Sequence, residues 1–107
     1  MSGLDKRGEG FEKKFAHDEE LRFKATARRN KLLGLWVAEK LGKTGADADA
    51  YAKTVIMADF EEAGDDDVFR KVRKDFDAAS VSISDHQIRR TMDELLSQAV
   101  EAIKTGA

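Results

Sequence analysis

The side chains of this sequence that could do chemistry are few and widely spaced. The two histidines, His17 and His86, lie far apart, and neither has a partner four residues away that would place two metal ligands on one helix face. Ser84 and His86 are two residues apart, which suits a helix start but gives no pairing of nucleophile and base. We therefore expect no catalytic residue, no metal site and no enzymatic activity.

The acidic run GDDDVF, residues 64–69, has the composition of a calcium loop without its pattern. An EF-hand loop alternates its ligands, carries a central glycine and ends on a glutamate at its twelfth position, whereas this run reaches Val68 and Phe69 at once. Consecutive aspartates are typical of a helix start, because they complement the helix dipole. The run therefore indicates a helix boundary.

The basic segment RFKATARRNK, residues 22–31, is a candidate site for an anionic ligand. Nucleic-acid-binding proteins use such clusters within basic domains, but this chain has a net charge of −2, so we predict no nucleic-acid partner. Two interpretations stay open: a phosphate ligand such as adenine nucleotide, and pairing with an acidic helix. Arg28 lies in the row of Ala25 and Leu32, which predicts that it pairs with either an acidic helix or a bound anion, and pairing within the protein is favoured. The candidate contacts are Arg22, Lys24, Arg28, Arg29 and Lys31.

A narrow apolar stripe stands out in the polar N-terminal segment. Leu4, Phe11 and Phe15 fall within about 40° of one another on a helical wheel. An isolated helix of this length is marginal in water, and Gly8 and Gly10 each cost about 1 kcal/mol relative to alanine, so residues 1–17 are predicted to form a flexible, partly helical arm. The stripe can anchor the arm in a partner's groove or dock on the protein's own helices.

Length and composition bound the rest of the molecule. The chain has 107 residues, 37% of them charged, no proline and no cysteine, which favours one small all-helical domain and is compatible with a reducing cytoplasm. No apolar run approaches the roughly 20 residues that span a bilayer, so we expect no membrane insertion. Charge is uneven: residues 1–43 carry 11 basic and 7 acidic side chains, whereas residues 44–79 carry 5 and 10. That asymmetry fits either an external partner or internal pairing.

Apolar periodicity predicts four helices, at about 18–41, 47–63, 66–79 and 85–104. The last two have the clearest stripes at a period of 3.6 residues. Each helix has an apolar face that it cannot bury alone, so residues 18–107 are predicted to form a four-helix bundle. The fold class is therefore all-α, a four-helix bundle with a flexible N-terminal arm. The stripes are Leu21, Ala25, Leu32, Leu35 and Trp36, with Leu33, Val37 and Leu41 beside them, then Ala52, Ile56, Phe60 and Ala63, then Val68, Phe69, Val72, Phe76 and Ala79, and then Ile88, Met92, Leu95, Leu96, Ala99 and Ile103.

Capping residues predict the helix boundaries. Ser84, with Gln87 three residues later, is the expected start of the last helix, and Asp65 is that of the third. Gly42 and Gly64 are expected to end helices, and Thr44 or Asp47 to begin the second. A second apolar row on that helix, Tyr51, Val55 and Ala58, predicts that it is covered on more than one side.

Three segments carry a resemblance to a known family. FEKKFAHDEELRFKATARRNKLLGLWVAEKLGKTG (residues 11–45), DAYAKTVIMADFEEAGDDDVFRKV (residues 49–72) and IRRTMDELL (residues 88–96) resemble the alphaproteobacterial family that includes the zeta subunit, an inhibitor of the F1 part of F1FO-ATP synthase. The resemblance implies a four-helix bundle with a mobile N-terminus. It also implies that the N-terminal segment inserts as a helix at a catalytic interface between α and β subunits, toward γ, and stops ATP hydrolysis.

Carried onto this chain, the resemblance implies an inhibitory segment from Met1 to about Glu19 in a cytoplasmic protein that reaches the inner membrane only through F1. The free protein is expected to be a monomer. Inhibitory relatives have helix formers where this arm reads DKRGEGF, and Gly8 and Gly10 add about 2 kcal/mol to folding on binding, so weak inhibition is expected. The implied anchors are Leu4, Phe11 and Phe15, and the implied polar contacts are Lys6, Arg7, Lys13 and Lys14.

Overall fold

Four α-helices in sequence make up the architecture. The computed structural model describes residues 2–60 and 65–105, with side chains from Glu19 onward. The helices are α1 (Ser2–Lys40), α2 (Gly45–Ala58), α3 (Asp66–Ala78) and α4 (Asp85–Lys104), and no strand occurs in these ranges. The predicted all-α four-helix bundle is confirmed. The division into an arm of residues 1–17 and a bundle from residue 18 stays a prediction, although α1 is one helix from Ser2.

The predicted start of α4 is confirmed in atomic detail. Ser84 has an extended backbone, and its Oγ accepts a hydrogen bond of 3.1 Å from the backbone N–H of Gln87. This bond satisfies one of the backbone donors that a helix start leaves without a partner, which is why serine suits this position.

The other boundaries follow backbone geometry more than side-chain capping. Gly42 lies just after α1 with a φ of +78°, a left-handed conformation that glycine adopts without strain. Thr44, not Asp47, precedes α2, and Asp65 precedes α3, but neither side chain makes a capping hydrogen bond. The carboxylate of Asp65 has another partner, described below. Gly64 lies outside the described residues.

An apolar core lies where all four helices meet. The indole of Trp36 packs edge-to-face on the ring of Phe76, with centroids 5.8 Å apart and planes at 84°. This geometry sets the positive edge of one ring against the negative face of the other. The α3 stripe is buried as predicted except at Ala79, which is exposed, and Phe69, which is half-buried. The core residues are Leu33, Val37, Val55, Val68, Val72, Phe76, Ile88 and Met92.

A glycine allows α1 and α2 to approach closely. A Cβ atom added to Gly34 would stand 2.5 Å from Cα and 2.9 Å from Cβ of Ala52. Any larger residue at position 34 would push the two backbones apart. The small pair therefore sets the separation of α1 and α2 just beside the core.

A polar tie joins α2 to α3. The hydroxyl of Tyr51 donates to Oδ2 of Asp75 at 2.6 Å, and Nζ of Lys71 donates to the same oxygen at 2.9 Å. Desolvation raises the pKa of Tyr51, and the hydrogen bond to Asp75 raises it further, so the phenol stays protonated and remains a donor.

The prediction that α2 is covered on more than one side is wrong at Phe60. Ala52, Val55 and Ala58 are buried, but Phe60 is 72% exposed. The physical reason is that α2 ends at Ala58, so Phe60 follows in a turn and does not continue the helical row. α2 thus ends five residues before the predicted boundary at about residue 63.

Candidate functional site

The candidate inhibitory residues lie on the N-terminal part of α1. The helix includes positions 4–15, but their side chains lie outside the described residues. Their role stays a prediction. The residues concerned are Leu4, Lys6, Arg7, Phe11, Lys13, Lys14 and Phe15.

The second candidate site, the basic segment of α1, contains a buried arginine that pairs inside the bundle. The Arg29 side chain is 1% exposed, and its Nη2 and Nη1 donate to Oδ1 and Oδ2 of Asp65 at 2.8 and 3.4 Å. Its Nε donates to Oδ1 of Asn30 at 2.8 Å. Three of the guanidinium donors are thus used within the protein, and this arginine is not presented to an external anion.

The sequence prediction placed the wrong arginine on the buried face. Arg28 is exposed, whereas Arg29 is buried, so the prediction is wrong by one residue. The reason is that the buried face of α1 is centred on the row of Leu33 and Val37, both fully buried, while Leu32 is only half-buried. Arg29 lies four residues before Leu33 and therefore shares its face.

A second buried polar side chain holds the end of α2. Asn30 is 1% exposed, and its Nδ2 donates to Oδ2 of Asp59 at 2.9 Å. Asp59 is the first residue after α2, and Asp65 is the last residue before α3. Arg29 and Asn30 therefore hold both ends of the connection between these helices against the middle of α1. We call Arg29, Asn30, Asp59 and Asp65 the polar cluster. Within the described residues, every buried side-chain nitrogen and oxygen has a hydrogen-bond partner.

The two carboxylates of the polar cluster have opposite pKa shifts. Hydrogen bonds from Arg29 hold the pKa of Asp65 below its ordinary value, because they stabilise the charged form. Desolvation raises the pKa of Asp59, and the negative charges of Asp67 and Asp65 add to this, while the bond from Asn30 opposes it. Asp65 is thus the ionic partner of Arg29, and Asp59 is the less favourably placed charge.

The remaining basic candidates do not converge on one cavity. Arg22 borders a groove between α1 and α4 with Leu96 and Lys104, whereas Lys31 borders a separate groove between α1 and α2 with Lys53. Lys24 forms an exposed ion pair with Glu20, with Nζ and Oε1 3.1 Å apart. A phosphate group needs several donors aimed at one point, and this arrangement spreads them along the helix.

No metal-binding group emerges from residues 19–60 and 65–105, where no three histidine or acidic side chains stand close enough to hold an ion. His86 is exposed in the first turn of α4, next to a serine that is occupied as a cap. His17 lies outside the described side chains. In the same ranges, no helix has the length and apolarity that crossing a membrane requires.

Sequence reasoning missed two features of this region. The polar cluster was not predicted, although an adjacent Arg and Asn among buried apolar positions, followed by an acidic helix start, was an available signal. Three exposed apolar side chains were also missed: Phe23, Met57 and Phe60, with 69, 67 and 72% of their surface in water. The exposure of Phe23 and Phe60 depends on where α2 ends, which periodicity alone did not give, whereas Met57 lies within α2.

Comparison with known proteins gives a consistent result. The family model of ATPase inhibitor subunit zeta matches residues 1–102, nearly the whole chain. No curated protein matches the sequence. A protein solved by solution NMR is 47% identical and superposes with a TM-score of 0.71, covering 81% of this chain and 99% of that one. With its four-helix bundle and a match over almost its full length, the chain belongs to the ATPase inhibitor subunit zeta family.

Proposed function

We propose that this protein inhibits ATP hydrolysis by the F1 part of F1FO-ATP synthase. In this proposal the N-terminal part of helix α1 inserts at a catalytic interface between α and β subunits. The observation that supports this most is the family match, which includes the N-terminal segment as well as the bundle. The family name connects the protein with an ATPase, and the identity of the contacted subunits, α, β and γ, is part of the proposal.

The proposed mechanism needs binding alone. A catalytic interface of F1 must close and reopen in each cycle, so a helix that occupies it arrests the motor without chemistry of its own. The 39 residues of α1 form a helix about 58 Å long. Residues 2–18 account for about 25 Å of it, enough to enter an interface while the bundle stays outside. In this proposal Leu4, Phe11 and Phe15 supply apolar anchors, and Lys6, Arg7, Lys13 and Lys14 supply polar contacts.

The setting follows from the partner. F1 lies on the cytoplasmic face of the bacterial inner membrane, so we place this protein there as a monomeric, non-catalytic regulator that reaches the membrane only through F1. Gly8 and Gly10 raise the cost of an ordered helix by about 2 kcal/mol, equivalent to about 30-fold in affinity, so we expect weaker inhibition than by a chain with alanines at both positions.

The test is ATP hydrolysis by F1 from the source bacterium, titrated with wild-type protein and with the double variant Phe11→Ala/Phe15→Ala. The proposal predicts that the variant loses inhibition at saturating concentration, because the apolar anchors are gone. The matched control, Phe11→Leu/Phe15→Leu, keeps apolar side chains of similar size and should inhibit. Full inhibition by the alanine variant would exclude these anchors.

The alternative function, a nucleotide-binding module built on the basic segment, is not favoured by the geometry. Arg29 is occupied by Asp65, and Arg22 and Lys31 border different grooves. The proposal therefore includes no cofactor.

A further inference from the structure

The helices that lie against α1 change along its length. The hydrogen bonds and the ring contact that join α1 to α2 and α3 fall between Arg29 and Trp36. Asn30 bonds to Asp59, just after α2, and Arg29 bonds to Asp65, just before α3, so the end of α2 and the start of α3 lie at this level. The polar cluster thus marks the level at which α2 and α3 leave α1.

Helix α4 continues past that level. In its first half, Ile88 lies in the core together with Leu33. In its second half, Leu96 and Val100 border one groove with Leu21 of α1. The two helices are therefore antiparallel, and the second half of α4 lies beside the turns of α1 that precede the polar cluster.

The contact between these two segments is apolar and narrow. Leu21, Leu96 and Val100 are half-buried, and Ala25, which borders the same groove, is fully buried. Residues 22–24 of α1 are exposed, so α1 meets α4 along the row of Leu21 and Ala25, four residues apart.

This row ends where α4 ends, close to the proposed inhibitory segment. Lys104, the last residue of α4, borders the same groove as Leu21. Leu21 lies three residues after residue 18, where the segment proposed to enter the catalytic interface ends. The end of α4 therefore coincides with the point at which α1 leaves the bundle.

Continuity with a supported helix lowers the cost of ordering the inhibitory segment. Nucleating a separate helix carries an unfavourable factor of about 10⁻³, whereas adding a residue to an existing helix is close to neutral. Because α1 is one helix from Ser2 to Lys40, residues 2–18 extend a helix that α4 already supports at Leu21. Without this support, the nearest held turn would be at Arg29, and residues 19–28 would also have to be ordered on binding.

We propose that the second half of α4 positions the inhibitory helix, with Leu21, Leu96 and Val100 as the positioning residues. The inference rests on the proposed function and assigns α4 a part in it. These residues act through α1, by keeping its preceding turns helical and directed out of the bundle. A segment that is already ordered loses less entropy on binding, so the support raises affinity for F1.

The experiment compares the wild-type chain with Leu96→Ala/Val100→Ala in two measurements. The first is the concentration of full-length protein that half-inhibits ATP hydrolysis by F1. We expect the variant to need about 10-fold more protein, because apolar contacts with α1 are lost, and to inhibit fully at saturation. The second is the helicity of the free chain from NMR Cα chemical shifts, which should fall in residues 11–24 and stay unchanged in residues 30–40.

The matched control is Val81→Ala/Ile83→Ala. These side chains are also half-buried, but they pack on the core from the connection between α3 and α4, away from the groove. The control removes as many side-chain atoms and so accounts for lost stability, and its half-inhibiting concentration should stay within about 2-fold of wild type. If Leu96→Ala/Val100→Ala does not fold, Leu21→Ala tests the same contact from α1, with an expected increase of about 5-fold.

The outcomes separate this inference from the proposed function. Equal increases in the half-inhibiting concentration for the α4 variant and its control, or no increase in either, overturn the positioning role and leave inhibition standing. Unchanged helical shifts in residues 11–24 of the α4 variant overturn it as well. A wild-type chain that does not inhibit F1 overturns the proposed function, whereas a loss of helical shifts in the α4 variant alone would still support the hold of α4 on α1.

Discussion

The two halves of the described part of α1 are built differently. In residues 32–40 the buried side of the helix is apolar: Leu33, Gly34, Val37 and Ala38 are all buried. In residues 19–31 the buried positions are Ala25, Arg29 and Asn30, one small residue and two polar ones. Residues 19–31, the half nearer the N-terminal segment, are held by hydrogen bonds of Arg29 and Asn30, whereas residues 32–40 pack in the apolar core.

The lengths of the neighbouring helices explain this difference. α2 and α3 have 14 and 13 residues, about 20 Å each, so neither can follow α1 along its length. Among the described helices, α4, with 20 residues, is the one that borders a groove with Arg22, through Leu96 and Lys104. The half that meets fewer helices is left with an exposed phenylalanine, and that half is the one next to the proposed inhibitory segment.

The largest expected effect is on the free energy of unfolding, and it comes from comparing a buried phenylalanine with an exposed one. Phe76→Ala should lower the free energy of unfolding by about 3–5 kcal/mol, because a fully buried ring that packs on Trp36 leaves a cavity. Phe23→Ala removes the same atoms from an exposed position and should change it by no more than about 0.5 kcal/mol. Urea unfolding followed by circular dichroism measures both. Similar losses in the two variants would mean that Phe23 is part of the core.

Substitutions in the polar cluster are expected to lower the free energy of unfolding by an intermediate amount. Asp65→Asn leaves the buried Arg29 without its carboxylate and should cost about 1–3 kcal/mol, less than for a fully buried pair because the Asp65 side chain is 47% exposed. If Arg29 is first changed to Met, the same substitution at Asp65 should cost almost nothing. The resulting coupling energy in a double-mutant cycle is therefore expected at about 1–3 kcal/mol.

The matched control for this cycle is the exposed pair of Glu20 and Lys24. Its side chains are 60 and 59% exposed, and the corresponding cycle with Glu20→Gln and Lys24→Met should give about 0.5 kcal/mol or less. Equal coupling in the two cycles would contradict the view that the polar cluster holds this half of α1.

The smallest expected effect is on how the free energy of unfolding depends on pH. The lowered pKa of Asp65 contributes stability that is present above its unfolded value of 3.8 and lost as pH falls through the folded pKa. The raised pKa of Asp59 contributes stability that is present below 3.8 and lost as pH rises through the folded pKa. Relative to wild type, Asp65→Asn should therefore become less stable as pH rises toward 3.8, and Asp59→Asn more stable as pH rises above 3.8. A series from about pH 2 to 7 covers both sides of this value.

Free energies of unfolding measured across this pH range for the three proteins check both signs. The change for Asp59→Asn should stay below about 1 kcal/mol, and the change for Asp65→Asn should not exceed its cost at neutral pH, because water reaches both carboxylates. The same sign for both variants would show that the two carboxylates are not distinguished by their partners.

Most of the fold was predictable because it depends on local patterns. Ser84 marks the start of α4, Gly42 marks the end of α1, and the row Val68, Val72 and Phe76 is the buried face of α3. Each of these rests on a helical period of 3.6 residues or on a capping geometry, both of which are read within a few residues. The candidate site was less predictable, since Arg28 and Arg29 differ by only 100° around the helix and the buried direction depends on the position of the other helices.

By itself, the sequence determined the all-α class, the number of helices, most of their faces and the family, because periodicity, caps and residue identity are properties of the chain alone. Only the tertiary structure decided that Arg29 is buried with Asp65 and that Phe23 and Phe60 are exposed. The physical reason is that burial depends on which helix lies opposite a side chain and on where that helix ends. The residue that follows α2, Asp59, is held by a contact between residues far apart in the sequence, the hydrogen bond from Asn30.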